Sequence, residues 1–321
     1  MNKKSSQNKE DEDQHAPDVS VIVVNWNLRD YLRRCLKSIL LQSGNLAVET
    51  IVVDNASDDG SISMLEQEFF EVSRIINREN VGFARASNQG MEKAEGRYLF
   101  LLNNDAELLE GALSSLVDYM DTHPDVGVCG PRVVNSDGTL QVHSKGFYPT
   151  ISRMAGQLFL PRNLRHPAGR SLGLYEFNDD RTIREFDWLS GCALLVRREA
   201  VVETGMFDTG IFMYCEDIDW CYRMKKKGWK VVNNPQVDVI HFGGQSMKLQ
   251  EGAAVGSHAA ALADFYARYH SRSATTVFRI VLSTGYVVQA IGWMLAAIVG
   301  KREGLDKLKR RFSHGRGRSV K

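Results

Sequence analysis

The sequence predicts an α/β protein built on a mixed, mainly parallel sheet that is flanked by helices. Three apolar runs, at 19–24, 49–54 and 98–105, are the first evidence, and helical stretches alternate with them. Continuous apolar strands that alternate with helices are typical of a parallel sheet buried on both faces. Ligands of such sheets bind outside the carboxyl ends of the strands, so the residues there are the first candidates for function.

Oxygen ligands follow these strands. The third run ends in Asn103, Asn104 and Asp105, and the second ends in Asp54. Such side chains suit a hard cation that carries phosphates, although a turn that closes the strand is the other interpretation. The first strand runs into Asn25 without a dinucleotide fingerprint, and no phosphate-loop motif follows any strand, which argues against a Rossmann dehydrogenase and a P-loop enzyme.

The remaining elements follow from periodicity and from Pro and Gly positions. We expect helices at 31–41, 110–123, 198–204 and 216–227, and strands at 126–134 (interrupted at Gly130-Pro131), 188–197 and 237–241. Residues 138–180 lack periodicity, which predicts long connections over the active site that determine specificity.

Composition excludes several classes of function. The net charge of the 321 residues is +1, so nothing favours nucleic acid as a partner. The five cysteines are scattered without Cys-x-x-Cys spacing, which indicates reduced core residues. Residues 1–17 are polar and are expected to form a disordered extension rather than a signal peptide or an anchor.

Seven separated motifs then occur in one order. They are VSVIVVNWN, VDNASDDGS, NVGFARASNQG, YLFLLNNDAEL, WLSGCALLVRREA, FDTGIFMYCEDIDWCYR and HFGGQS, between residues 19 and 246. In these motifs and their order, the chain resembles family 2 glycosyltransferases of the GT-A fold. The resemblance is to the bacterial branch that includes rhamnosyl and galactofuranosyl transferases. One departure is that Asn103-Asn104-Asp105 replaces the Asp-x-Asp of the family.

The resemblance divides the chain into a catalytic domain and two appendages. The expected divisions are an N-terminal extension at 1–17, a GT-A domain at 18–250 (nucleotide-sugar half 18–131, acceptor half 132–250), and C-terminal helices at 251–321.

The resemblance also implies a donor site at the strand tips. Asp105 would coordinate Mg or Mn together with both phosphates, with His241 as the second protein ligand, and nitrogen ligation would favour Mn. Without its motif, Arg85 would be interpreted as a solvated helix residue and His241 as structural. The expected donor-binding residues are Asn25, Asn27, Asp54, Gly82, Arg85, Asn88, Asn104 and Asp105.

The acceptor half centres on Glu216 and Asp217. Inverting transfer needs one carboxylate to take the proton of the attacking hydroxyl, and the family motif implies that Asp217 is this general base. Glu216 could instead orient the acceptor or act as the base. We interpret Asp219 as half of an ordinary i, i+4 ion pair. The other expected acceptor-binding residues are Trp188, Ser190 and Gly191, and Trp220 is assigned to the core.

A membrane contact is expected near the C-terminus. Residues 280–299 are uncharged, and residues 301–321 carry nine Lys or Arg against two acidic residues, a net charge of plus seven. An apolar segment beside a basic tail predicts association with the cytoplasmic face of the inner membrane. This region is expected to anchor rather than to catalyse. An interfacial or re-entrant helix and a homodimer contact are the alternatives.

The expected function is that of an inverting, metal-dependent glycosyltransferase. It would move a sugar, rhamnose first, from a dTDP- or UDP-sugar to a polysaccharide or a lipid-linked glycan acceptor. Two alternatives are a sugar-nucleotide pyrophosphorylase and a non-catalytic carbohydrate-binding protein. The first would need a Gly-rich loop bearing Lys or Arg after strand one, which Asn25-Trp26-Asn27 does not resemble.

Overall fold

The computed structural model describes residues 16–160, 172–177, 179, 181–211, 214–243 and 254–298. The strands are β1 (Val19–Asn25), β2 (Val48–Asp54), β3 (Ser73–Ile76), β4 (Tyr98–Asn103), β5 (Ala106–Leu108), β6 (Val126–Val134), β7 (Lys145–Gly146), β8 (Arg184–Glu185), β9 (Trp188–Leu189), β10 (Ala193–Arg197) and β11 (Lys230–His241). The α-helices are α1 (Arg29–Gln42), α2 (Ser61–Glu68), α3 (Phe83–Lys93), α4 (Ala112–Thr122), α5 (Ile151–Phe159), α6 (Arg198–Thr204), α7 (Glu216–Lys226), α8 (Ala254–Tyr269) and α9 (Arg272–Ile298).

Nine of the strands formed by the described residues make one sheet in the order β3-β2-β1-β4-β10-β6-β11-β5, with β8 paired to β11. Strands β3, β2, β1 and β4 run parallel to one another, and β6 runs parallel to β11. Strand β10 runs antiparallel between β4 and β6. The predicted mixed, mainly parallel sheet is confirmed.

Both faces of the sheet are covered, as the continuous apolar strands predicted. Side chains alternate between the two faces along a strand. Ile22 and Leu101 therefore pack in the core on one side, whereas Val23 and Phe100 pack in the core on the other. All four are almost completely buried.

Three local predictions were wrong. Strand β6 runs without interruption through Pro131, next to an irregularity in its pairing with β11, and Pro is tolerated at such irregularities. The predicted strand 188–197 is split into β9 and β10 by a turn at 190–192. The region predicted to contain only connections includes helix α5, whose first turn is capped by Thr150.

The C-terminal helices pack on the catalytic domain. Phe278 of α9 is fully buried and stacks on Tyr266 of α8 with ring centroids 4.2 Å apart. Gly285 lies against Leu158 of α5, where a Cβ atom would come within 2.6 Å of that side chain. The Gln289 side chain donates to the Leu158 carbonyl at 3.2 Å. The expected N-terminal extension (apart from residues 16 and 17), the basic tail and residues 244–246 of the late motif lie outside the described residues.

Candidate active site

A cavity of about 1010 Å³ opens at the carboxyl ends of β1, β2 and β4. Its walls include the strand-tip residues Asn103 to Asp105, the turn between β9 and β10, and the start of α7. Helices α8 and α9 complete it. The cavity therefore lies where ligands of open α/β sheets bind.

Strand pairing brings Asp105 and His241 together. Strand β5 runs antiparallel to the end of β11, so that His241 is paired with Ala106, the residue after Asp105. The Phe242 N–H donates to the Asp105 carbonyl at 2.9 Å. As a result, the Asp105 Oδ1 atom lies 3.1 Å from the His241 Nε2 atom. The two predicted metal ligands, 136 residues apart in the sequence, are adjacent.

This pair has the donor chemistry of a cation site. A buried carboxylate and a ring nitrogen meet at the cavity wall, and Asp105 is only 5% exposed. Oxygen and imidazole nitrogen together suit Mn better than Ca or Mg. The described residues include no cluster of three or more His, Cys, Asp or Glu, so a cation held here would need ligands beyond these side chains.

Other predicted donor residues fasten the strand tips to one another. The Asn25 amide donates to Asp54 Oδ2 at 2.9 Å and accepts from Asn104 at 2.8 Å. The second oxygen of Asp54 accepts from the Ser57 N–H at 2.8 Å. Asn25, Asp54 and Asn104 are all nearly inaccessible, and Asn104 also lines the cavity. Their contact with a nucleotide stays a prediction, whereas their role in fixing this edge is visible.

The rest of the predicted donor set is spread more widely. Gly82 lines the cavity with a φ of 85°, which glycine adopts without strain. Asn27, with a φ of 51°, accepts from the Asp58 N–H at 2.8 Å, which joins the loop after β1 to the loop after β2. Asn88 is turned away: its amide exchanges two hydrogen bonds with the backbone of Phe207. Arg85 is exposed, and neither Arg85 nor Asn88 lines the cavity.

A second wall of the cavity includes the start of α7, where Asp217 is held by backbone groups. Its Oδ2 accepts from the Gly191 N–H at 3.0 Å, and its Oδ1 accepts from the Ile218 N–H at 2.8 Å. Helix α7 begins after Tyr214 and Cys215, which have φ values of 68° and 67°. Such left-handed conformations are costly for side-chain-bearing residues and cluster at functional sites.

The neighbouring carboxyls of Glu216 and Asp217 influence each other. Burial raises the pKa of both groups, and the Asp217 charge raises the pKa of Glu216 further, well above its usual range. Two N–H donors stabilise the charged form of Asp217, whereas Glu216 Oε2 is buried with no hydrogen-bond partner among the described residues. We therefore expect Asp217 to ionise at lower pH than Glu216.

Aromatic rings form the next part of this wall. Trp188 lines the cavity, and its indole N–H donates to the Phe147 carbonyl at 3.1 Å. Tyr175 meets Trp188 edge to face, with centroids 6.0 Å apart, and His143 meets Tyr175 in the same way at 4.3 Å. Ser190 and Gly191 lie beside them, so the predicted acceptor residues share one wall with the predicted base.

The C-terminal helices supply the final part. His258 and Leu262 of α8 and Tyr286 of α9 line the cavity, and His258 meets Tyr214 edge to face at 5.5 Å. Sequence reasoning missed these residues, because they lie beyond the last motif and their spacing resembles that of core positions. The region expected only to anchor the protein also shapes its cavity.

Asp219 and Trp220 have the structural roles that the sequence indicated. Asp219 is paired with Arg223 at 2.8 Å and accepts from the Tyr269 hydroxyl at 2.6 Å, which ties α7 to α8. Trp220 is fully buried, and its indole N–H donates to Gly205.

Comparison with known proteins agrees with this geometry. The family model described as glycosyl transferase family 2 matches residues 20–201. The N-acetylglucosaminyl-diphospho-decaprenol L-rhamnosyltransferase of Mycobacterium tuberculosis is 28% identical over 272 residues, 78% of this chain and 84% of that protein. The rhamnosyltransferase WbbL of Escherichia coli K12 is 25% identical over 233 residues, 70% of this chain and 83% of that protein.

Two solved structures share the fold. GalNAc-T7, solved with UDP, GalNAc and Mn²⁺, has a TM-score of 0.57 and 17% identity over 79% of this chain, which spans 48% of that protein. The mannosyltransferase PcManGT of Pyrobaculum calidifontis, solved with GDP-Man and Mn²⁺, has a TM-score of 0.51 and 16% identity over 94% of this chain and 85% of that one.

Proposed function

The chain belongs to glycosyl transferase family 2 and is a glycosyltransferase, and from this premise we propose that it is an inverting, metal-dependent enzyme that glycosylates a lipid-linked acceptor. The observation that carries the proposal is the arrangement of one cavity. The Asp105–His241 pair and the Asp217 carboxylate line the same cavity.

The donor would occupy the strand-tip wall. Asp105 and His241 would hold Mn or Mg, which would neutralise the diphosphate of the donor and the charge that builds on it as it leaves. Asn103 and Asn104, which line the same wall, have amide groups suited to sugar or phosphate oxygens.

The acceptor would approach from the aromatic wall. Its hydroxyl oxygen would attack the anomeric carbon on the side opposite the leaving phosphate, while Asp217 takes the hydroxyl proton. One displacement of this kind inverts the anomeric configuration. The two backbone hydrogen bonds to Asp217 hold its carboxylate in place for this proton transfer. Protonated Glu216 would donate a hydrogen bond to the acceptor.

The rhamnosyltransferase relatives support dTDP-rhamnose as the first donor to test, with UDP-sugars next. The M. tuberculosis relative is named for a decaprenol-diphosphate acceptor, which supports a polyprenol-linked glycan as the acceptor class and a role in building a cell-envelope polysaccharide.

A thermal-shift screen tests the donor assignment. We expect dTDP-rhamnose or another nucleotide sugar to raise the thermal midpoint of the wild-type protein with Mn²⁺ and much less without it. Asp105→Ala should lose the Mn²⁺-dependent part, because a ligand of the cation is gone. Asp118→Ala, which changes an aspartate outside the cavity lining, is the control. Stabilisation that needs neither nucleotide nor metal would contradict the proposal.

Helix α9 supports a contact with the membrane surface. Residues Arg272–Gly292 are long and apolar enough to cross a membrane by length and composition alone. At about 100° per residue, the exposed apolar side chains form one stripe opposite the face that packs on α5 and α8. The stripe consists of Val277, Ile280, Val287, Val288, Ile291, Met294 and Leu295, which are between 39% and 59% exposed.

Because α9 is bound to the catalytic domain along one side as far as Gln289, we place it in the plane of the interface rather than across the bilayer. The plus-seven tail that follows would attract anionic lipids of the cytoplasmic leaflet. An acceptor with a polyprenol tail would then reach the cavity from the membrane surface.

Sedimentation with vesicles tests this placement. The double variant Val287→Ser/Ile291→Ser should bind vesicles of phosphatidylcholine and phosphatidylglycerol at least tenfold more weakly than wild type. The reason is that it lacks two apolar side chains that would insert into the membrane. Leu40→Ser/Leu41→Ser is the matched control, since both leucines are exposed on α1. Equal loss in both double variants, or a stable dimer that covers the stripe, would contradict the membrane contact.

A further inference from the structure

Gln141 contacts His241 at two points. Its Nε2 atom donates to the backbone carbonyl of His241, and its Oε1 atom lies 2.9 Å from Nδ1 of the His241 ring. Gln141 also lines the cavity. It belongs to none of the motifs on which the sequence assignment depends.

Chain topology explains how Gln141 reaches this position. Strand β6 runs parallel to β11, with Val134 paired to Ile240. A turn containing Gly138, whose φ is 79°, reverses the chain after β6. The Gln141 N–H then donates to the Val133 carbonyl at 2.9 Å. The returning segment therefore places Gln141 beside the last residue of β11.

The first hydrogen bond fixes the orientation of the amide. An amide nitrogen only donates and an amide oxygen only accepts. If the Gln141 amide were reversed, its oxygen would face the His241 carbonyl oxygen, and two acceptors would repel each other. The amide oxygen must therefore face Nδ1, and Nδ1 must carry the proton. In the neutral ring, Nε2 is then left with a lone pair.

That lone pair points to the strand-tip wall. Nε2 lies 3.2 Å from Asn103 Nδ2 and 3.1 Å from Asp105 Oδ1. The Asn103 amide can donate to it, but the Asp105 carboxylate brings only further lone pairs. Two electron-pair donors that converge in this way are suited to share a cation.

We propose that Gln141 is a positioning residue that sets the Nδ1–H tautomer of His241 and keeps Nε2 directed at the Asp105 carboxylate. The inference rests on the proposed function for the cation itself. A partner that orients a metal-binding histidine through its other ring nitrogen changes metal affinity by about tenfold to a hundredfold.

Mn²⁺ affinity of the full-length protein tests this role. It is measured in the presence of dTDP from the electron paramagnetic resonance signal of free Mn²⁺. Gln141→Leu, which removes both hydrogen bonds, should weaken Mn²⁺ binding by about tenfold or more. Gln141→Glu keeps an acceptor for the Nδ1 proton but loses the donor to the His241 carbonyl, so it should recover only part of the affinity. Gln236→Leu, at an exposed position of the strand that carries His241, should leave the Mn²⁺ affinity unchanged.

The tautomer itself gives a second readout that does not depend on metal. In metal-free protein labelled with ¹⁵N-histidine, the His241 signals, assigned with His241→Asn, should have a protonated Nδ1 and an unprotonated Nε2. Gln141→Leu should give a mixture of tautomers. If wild type binds no Mn²⁺, the metal part of the proposed function fails and this spectrum still decides the role of Gln141. A wild-type ring protonated at Nε2 alone, or unchanged Mn²⁺ affinity in Gln141→Leu, would overturn the inference.

Discussion

The two walls of the cavity are built in different ways. On the strand-tip wall, Asn25, Asp54 and Asn104 come from three neighbouring strands and use their polar atoms on one another. On the acceptor wall, Glu216 has a buried oxygen without a hydrogen-bond partner in the described part of the chain, next to two residues in left-handed conformations. Asn25, Asp54 and Asn104 satisfy one another, whereas Glu216 has no such partner.

This difference has a physical interpretation. A diphosphate is the constant part of any nucleotide sugar, and a rigid network at adjacent strand ends can be shaped for it in advance. A buried carboxyl with a raised pKa is unfavourable until a ligand gives it a partner, so this cost is found where proton transfer and acceptor recognition are proposed. Variants on the two walls should therefore have separable effects.

The largest effect is expected for Asp217→Asn. Turnover should fall by about two to four orders of magnitude, because the general base is lost, while nucleotide and Mn²⁺ affinity should stay at wild-type values because the strand-tip wall is intact. Single-turnover kinetics and calorimetry measure the two quantities separately.

The control for this variant is Asp219→Asn on the same helix. Asp219 bonds to Arg223 and Tyr269, so its replacement should lower the thermal midpoint with far less effect on turnover. Equal loss of nucleotide affinity in Asp217→Asn and Asp105→Ala would show that the two walls do not act separately.

A smaller effect is expected for Tyr286→Ala. Loss of an aromatic ring from the acceptor wall should raise the KM for a polyprenol-diphosphate-linked sugar roughly tenfold, since the lost apolar contact with the acceptor would cost about 1.4 kcal/mol. The KM for the donor should not change. Phe70→Ala, which removes an exposed aromatic ring outside the cavity lining, is the control. A donor KM that rises as much as the acceptor KM would remove Tyr286 from the acceptor wall.

The same contrast explains what the sequence could predict. The strand-tip wall follows from short apolar runs and the residues directly after them, so Asp105 and the parallel strands that precede it were accessible to pattern reasoning. The adjacency of His241 to Asp105 required a family motif, because it depends on the pairing of β5 with β11 across more than 130 residues.

The acceptor wall was less predictable for a physical reason. His258, Leu262 and Tyr286 occur at spacings that also suit buried helix faces, and periodicity cannot separate a residue that packs in a core from one that lines a cavity. Gln141 carries no sequence signal, since its position depends on a turn and on the pairing of β6 with β11. The motif assigned Asn88 to the donor, and its amide exchanges two hydrogen bonds with the backbone of Phe207, which the motif did not indicate.

The smallest effect, and the one that tests the carboxyl pair most directly, is expected for Glu216→Gln. Because the pKa of Glu216 is raised by burial and by Asp217, to about 8, we expect wild-type Glu216 to be mostly protonated at neutral pH and to ionise as the pH rises further. Its ionisation would place a second negative charge beside the base and remove the proton that it donates to the acceptor, so wild-type turnover should decline on the alkaline side.

Glutamine resembles protonated glutamate at every pH. Glu216→Gln should therefore keep turnover within severalfold of wild type near neutral pH and should lack the alkaline decline. At pH values above neutral, the variant should also have a higher thermal midpoint than wild type. The reason is that a carboxyl whose folded-state pKa is raised loses stabilising free energy as the pH rises from its unfolded pKa through its folded pKa. Turnover and thermal midpoint are measured from pH 6 to pH 10. If the glutamine variant keeps the alkaline decline of wild type, Glu216 is not its origin. If its turnover falls as far as that of Asp217→Asn, Glu216 also takes part in proton transfer and Asp217 is not the sole base.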